Sequence, residues 1–334
     1  MAAPPENGTY VSLLLIVLAV LCATPARAQT FEIPIACRLG EICAVQNYVD
    51  LDPSPDARDP VCGPLTYDGH DGLDFRVPAA LARGGVYAIA PAAGIVSAVR
   101  DGEQEGAYLA GGRTAISGRE CGNGVVIAHE DGWSSQLCHL RMGSLAVQAG
   151  QSVARGQTIG LVGLSGLTEF PHLHLTLRRN GVKLDPLTGL PIGEIRCGGT
   201  AATPGDHWSE AARVQLAFQG TQWFALGFSG APPDSKMRPE DLSPNAAPHA
   251  PVLVFWALSI GLQAGDILRV RLRDGAVLAE ATRKQARNQA EAWLYVGKKT
   301  PRGGWYLGSY KGDAEVERNG RIVAARMEIL RLHN

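Results

Sequence analysis

The chain has 334 residues, 46% of them hydrophobic and 19% charged, with a formal net charge of -1. That length is enough for two domains with cores of their own. The near-neutral balance excludes a broad electrostatic footprint for nucleic acid, so no nucleic-acid partner is expected.

Residues 1–28 read as an export signal. Residues 11–22 form an apolar run too short to span a bilayer comfortably, and Ala26-Arg27-Ala28 is a small-x-small cleavage site. The leading stretch MAAPPENGTY carries Glu6 and neither Lys nor Arg, which departs from the usual basic start. The expectation is cleavage after Ala28, no stable transmembrane anchor, and a periplasmic or extracellular protein. Six of the seven cysteines follow that cut: Cys37, Cys43, Cys62, Cys121, Cys138 and Cys197. An even number in an exported chain reads as disulfides. None stands in a CxxC, so neither a thiolate metal site nor a dithiol redox centre is indicated. Cys121–Cys138, flanking a hairpin expected over 124–140, is the preferred pair, and Cys37–Cys43 ranks ahead of either pairing with Cys62.

Residues 29–61 form an N-terminal cysteine-containing segment, and 62–197 a first domain. Within it, short β signals run over 72–77, 86–100 (interrupted at Pro91-Ala-Ala-Gly94), 125–129, 134–140, 158–163 and 173–178, separated by Gly and Asp/Asn turns. Residues 101–120 are Gly-rich and polar and read as a long loop, of a size that is usually functional. The small-residue run 198–206 reads as a linker. Beyond it, 207–334 carries a second β series: 214–218, 252–259, 267–273, 276–280, 292–296, 305–310, 314–317 and 322–330. Asp274-Gly275 and Asn319-Gly320 are hairpin turns. That series fits an immunoglobulin-like β-sandwich with Trp256, Trp293, Trp305 and Phe255 in its core. Its histidines, His207, His249 and His333, read as incidental.

The stretch FPHLHLTLRRNGVKLDP sets Leu173, Leu175 and Leu177 on one strand face and His172, His174 and Thr176 on the other. Two imidazoles on one face need partners. Upstream, YDGHDGLDF supplies His70 and Asp74, and LCHL supplies His139. Zinc accepts imidazole nitrogen and carboxylate oxygen, and a catalytic site keeps a fourth position open. His70, Asp74 and His174 would supply three such ligands. His139 and His172 would remain beside the metal, able to exchange a proton near neutral pH.

YDGHDGLDF, the segment from Ala90 to Val96, GNGVVIAHEDGW, LCHL, VARGQTIGLVGLSG and FPHLHL together resemble the M23 peptidases, the lysostaphin- and LytM-like zinc endopeptidases, over about 68–186. The resemblance implies an M23-type antiparallel catalytic sheet, so that with the sandwich read from the pattern after it the chain is expected to be all-β. It implies Zn2+ on His70, Asp74 and His174, with His139 and His172 catalytic, and peptidoglycan peptide cross-links as substrate. His172, next to ligand His174, is favoured as the base. His129 falls outside the ligand positions and reads as structural, Tyr67 as a groove wall or an oxyanion donor, and Asn123 as a turn residue. Gly72 and Gly166 would let an extended peptide approach the sheet. The loop at 101–120 and Cys138 depart from the family pattern. Alternatives are a non-catalytic M23-like protein that binds wall or activates a hydrolase, a zinc peptidase acting on an envelope protein, and a structural envelope protein.

Overall fold

Alternation of apolar and polar residues builds one antiparallel sheet in the first half of the chain. In the computed structural model, which describes Met1, residues 29–231 and residues 248–333, its strands are β1 (Ala44–Asn47), β2 (Leu73–Arg76), β4 (Gly94–Arg100), β5 (Asn123–Ala128), β6 (Trp133–Leu140), β7 (Ser152–Val153), β9 (His172–Arg179) and β10 (Val182–Leu184). The order is β1-β2-β9-β6-β5-β4-β7, with β10 added to β9 by a hairpin. Asn180 and Gly181 at that turn both take positive φ, 51° and 81°, as a two-residue I′ turn requires. A ribbon of β3 (Tyr87–Ile89) and β8 (Thr158–Leu161) lies outside the sheet. The export-signal reading of 1–28 falls outside the described residues, apart from Met1.

The second half contains β11 (Gln222–Ser229), β12 (Val252–Leu262), β13 (Ile267–Arg273), β14 (Val277–Lys284), β15 (Gln289–Lys299), β16 (Gly308–Arg318) and β17 (Arg321–Leu332). They form two sheets, β11-β12-β15 and β14-β13-β16-β17. Phe228, Phe255, Leu268, Val270, Tyr310 and Val316 fill a core shared by both sheets.

β12 explains how the halves meet. Its sequence VLVFWALSIGL is an apolar run with almost no polar interruption, the pattern of a strand covered on both faces. Phe255 and Ala257 point into the core of the second half. Trp256, Leu258 and Ile260 pack in the core that holds Leu73, Phe75, Leu137 and Leu175. A buried ion pair crosses the same boundary. Arg76 of β2 has a fully buried side chain, pairs with Glu291 of β15, and lies 4.4 Å and 4.8 Å from the Phe170 and Phe224 ring centroids.

Several expectations are corrected. The 101–120 segment contains a helix, α2 (Ala107–Ile116), after the short α1 (Ala79–Gly84). The strand expected at 214–218 overlaps α3 (Glu210–Leu216), which is started by Ser209, whose Oγ accepts from the Ala212 N–H at 3.1 Å. Within the run 198–206 Ala201 is buried while Gly199, Thr200, Thr203 and Asp206 are exposed, and the Trp208 that follows donates its indole N–H to the Pro186 carbonyl at 2.6 Å. Trp208, Ala212 and Leu216, assigned by sequence to the second half, belong to the core of the first. Trp256 and Trp293 likewise pack toward that core. Segments 305–310 and 314–317 are not separate strands, since β16 runs through from Gly308. β1 and β11 were not expected. The disulfides are Cys37–Cys43, Cys62–Cys197 and Cys121–Cys138; the first and third are the preferred pairs, and the second ties the end of the first sheet region back to its start.

Candidate metal centre

β2 and β9 pair with Asp74 opposite His174 and Arg76 opposite His172. Side chains alternate along a strand, so this register gathers Asp74, His172 and His174 on the face opposite the apolar core. His70 arrives from the turn before β2, and His139 from the end of β6, on the other side of β9. His139 has a positive φ of 62°, uncommon for a residue with a side chain. Its N–H donates to the Cys121 carbonyl and its carbonyl accepts from the Gly163 N–H, both at 2.9 Å. Held there, its ring lies 4.6 Å from that of His172. All five side chains are buried.

Asp74 is the hub. Its Oδ1 lies 2.8 Å from His174 Nδ1, 3.1 Å from His70 Nε2 and 3.3 Å from His172 Nε2. Its Oδ2 accepts from Asn47 Nδ2 at 2.8 Å. One ligand atom from each of His70, Asp74 and His174 lies within 4.8 Å of the others. The remaining nitrogens are engaged elsewhere. His70 Nδ1–H donates to the Tyr48 carbonyl at 2.6 Å. His174 Nε2 faces Thr176 Oγ1 at 3.0 Å and Asp71 at 3.5 Å. His139 Nδ1–H donates to the Ser165 carbonyl at 2.8 Å, and His172 Nδ1–H to the Phe170 carbonyl at 2.9 Å. Such outer partners fix the tautomer and leave the other nitrogen its lone pair.

The electrostatics run the same way. Burial would raise the Asp74 carboxyl, but His70 and His172 hold it well below the usual carboxylate range. Burial would lower His174, yet Asp71 and Asp74 outweigh it and carry the imidazole up to about 9. Burial, reinforced by His172 and His174, holds His139 well below its ordinary range. The buried carboxylate therefore favours positive charge at this one point. Two imidazoles and one carboxylate form a donor set suited to a divalent metal ion.

All five residues named from sequence meet here. The residues that hold them were missed: Asn47, Asp71, Ser165 and Thr168, whose Oγ1 lies 3.0 Å from His172 Nδ1. Asn47 stands in a strand with no periodic signal of its own. Tyr67 lies with its ring 4.6 Å from that of His70, at the groove wall. Asn123 is a strand residue; its Oδ1 accepts from the Glu103 N–H at 2.7 Å and its Nδ2 donates to the Glu103 and Leu140 carbonyls, clamping the start of the α2 excursion. His129 bonds the Ala93 carbonyl and Ser135 Oγ, away from the cluster. Gly72 makes room for the protein itself: a Cβ there would meet the Leu175 carbonyl at 2.4 Å and the His174 ring at 2.6 Å. At Gly166 a Cβ would meet the Glu120 carbonyl at 2.3 Å. Both spaces are filled from within, not by a ligand.

Residues 68–186 match Peptidase family M23. This stretch is an M23 peptidase domain. The five site residues all fall inside it. The chain is 35% identical over 135 residues to an uncharacterized metalloprotease of Haemophilus influenzae, covering 40% of this chain and 23% of that protein. It is 36% identical over 97 residues to the DD-carboxypeptidase/endopeptidase Mpg of Neisseria meningitidis, covering 29% of this chain and 20% of that one. The chain thus spans less than a quarter of the length of these curated relatives. Among solved structures, a putative peptidase M23 from Pseudomonas aeruginosa is 32% identical, covers 42% of this chain and 52% of its own, and has a TM-score of 0.27.

Proposed function

We propose that the chain is an exported zinc metalloendopeptidase that hydrolyses peptide bonds in peptidoglycan cross-links. One observation carries the reading: His70, Asp74 and His174 converge within 4.8 Å while His139 and His172 stand beside them without being needed as ligands. The M23 domain and the relatives named metalloprotease and DD-carboxypeptidase/endopeptidase support it. Export is supported by the three disulfides, which form in oxidising compartments. Among the described residues no helix is long and apolar enough to cross a membrane.

Zinc held by His70 Nε2, Asp74 and His174 Nδ1 would polarise the scissile carbonyl and acidify water. His172, with Nδ1–H tied to Phe170 and Nε2 turned toward Asp74, takes the proton from the attacking water and passes it to the leaving amine. His139, kept neutral by burial and with its Nδ1–H given to the Ser165 carbonyl, has its ring beside that of His172 and orients the attacking water by accepting one of its protons on the bare Nε2. Asn47 holds the Asp74 carboxylate in place, and Asp71, itself paired with Lys183, holds His174.

Digestion of isolated sacculi, with the released muropeptides identified by mass spectrometry, tests this. Cross-linked fragments should fall and their peptide halves rise, and a chelator should stop the reaction. Purified protein with no stoichiometric zinc would favour a non-catalytic wall-binding role. Intact sacculi beside a cleaved envelope protein would move the substrate from wall to protein.

A further inference from the structure

Two cavities adjoin the metal cluster. One, of about 320 Å³, is lined by Asp74 and His172 and is closed on one side by Ala290 and Glu291 from the second half. The other, of about 440 Å³, is lined by His70, His139 and His174. Tyr67, Arg113 and Leu167 line both. A chain that occupies both cavities passes under this rim, with its reacting bond near the cluster.

Arg113 is the charged member of the rim. It lies in the last turn of α2, one residue after Gly112 interrupts the helix with φ 66° and ψ −163°. It is solvent-exposed, and among the described residues it forms no ion pair. Of the acids lining the two cavities, Asp74 is engaged with the imidazoles, Asp71 with Lys183, Glu291 with buried Arg76, and Glu169 with a partner of its own. Glu120 accepts from the Gly118 N–H at 3.0 Å and is near enough to Arg113 to feel its charge without forming an ion pair with it. A guanidinium is built to grip a carboxylate through two parallel N–H bonds. A cation in a last helical turn also steadies that helix, but such a role would affect stability alone and all substrates alike.

We propose that Arg113 is a specificity residue, receiving a carboxylate that the substrate carries beside the bond to be cut. The preferred substrates are then peptides with a free carboxylate at that place, either a chain terminus or an acidic side chain. The proposal rests on the peptidase reading above and names the substrate feature that the site selects.

The test uses the full chain loaded with zinc and a cross-linked muropeptide dimer in three forms: free acid, terminally amidated, and side-chain amidated. A charge-assisted hydrogen bond is worth about tenfold or more in affinity, so the wild type should show a KM about tenfold lower for the free acid. The amidated form that loses this preference identifies which carboxylate is gripped. Arg113→Ala should raise KM on the free acid about tenfold, spare kcat, and erase the preference, while Arg113→Lys restores part of it. Equal KM for all three forms in the wild type overturns the proposal, as does an equal fall in kcat on every form in Arg113→Ala. Calorimetric binding of the same forms to the His172→Ala protein separates the two readings. Tighter binding of the free acid, lost when Arg113→Ala is added, supports the subsite even if no form is cleaved. No difference in binding refutes it while leaving a peptidase intact.

Discussion

Ending the chain after Gly199 should abolish folding and should not release a working catalytic half. Such a cut removes Trp208, Leu216, Phe224, Trp256, Leu258 and Ile260, which are buried in one core with Leu73, Phe75 and Leu175. Each large apolar side chain stabilises by about 1.5–3 kcal/mol when fully buried. Losing the set therefore withdraws on the order of 10 kcal/mol or more, against a whole-domain stability of about 5–15 kcal/mol. The cut also removes the His207 carbonyl that accepts from the Phe31 N–H and the Ser209 N–H that donates to the Phe31 carbonyl, at 2.8 Å and 2.9 Å. The segment leading to β1 then loses its anchor, and with it Asn47 and the Tyr48 carbonyl that hold Asp74 and His70. The assay is circular dichroism with a thermal melt, alongside zinc uptake by equilibrium dialysis. A truncated chain that melts cooperatively within a few degrees of the full one and binds stoichiometric zinc would refute this account of the junction.

His174→Ala should lose both metal and activity, whereas His172→Ala should keep the metal and lose about 10²-fold or more in rate; equal zinc loss in both would show that their roles are misassigned. Asn47→Ala should weaken zinc affinity about 10–100-fold through Asp74, read by competition with a chromogenic chelator, and unchanged affinity would make Asn47 a packing residue only. Metal uptake should release a proton near neutral pH, because His174, raised to about 9 by its carboxylates, must give one up. Apparent affinity should therefore climb as pH rises toward 9 and level off above it, and calorimetry in buffers of different ionisation heat would expose an absent proton. Thiol titration of the denatured mature protein should find no free cysteine among Cys37, Cys43, Cys62, Cys121, Cys138 and Cys197, and reductant should lower its melting temperature, since a native bridge is worth about 2–5 kcal/mol.

The site was legible in the sequence because its chemistry depends on strand period and side-chain type, both of which are local. His172 and His174 two apart on β9, and His70 four before Asp74, already declared which groups could converge. The β-rich class and the two preferred disulfides followed from alternation, turn residues and cysteine spacing. The supporting residues were a different matter. Asn47 reaches Asp74 only because β1 pairs with β2, and Ser165 reaches His139 only through a turn packed on residues 120–122, and neither pairing leaves a periodic trace. The Gly-rich stretch around α2 looked like a loop because glycine weakens helix signals, yet clamping of its start by Asn123 and tertiary packing stabilise a helix there. Above all, a small-residue run reads as a linker whenever the partners that bury its neighbours lie far away in sequence. Whether Trp208 and Trp256 face their own half or the other depends on long-range contacts, so the tertiary structure alone decided that the two halves share a core.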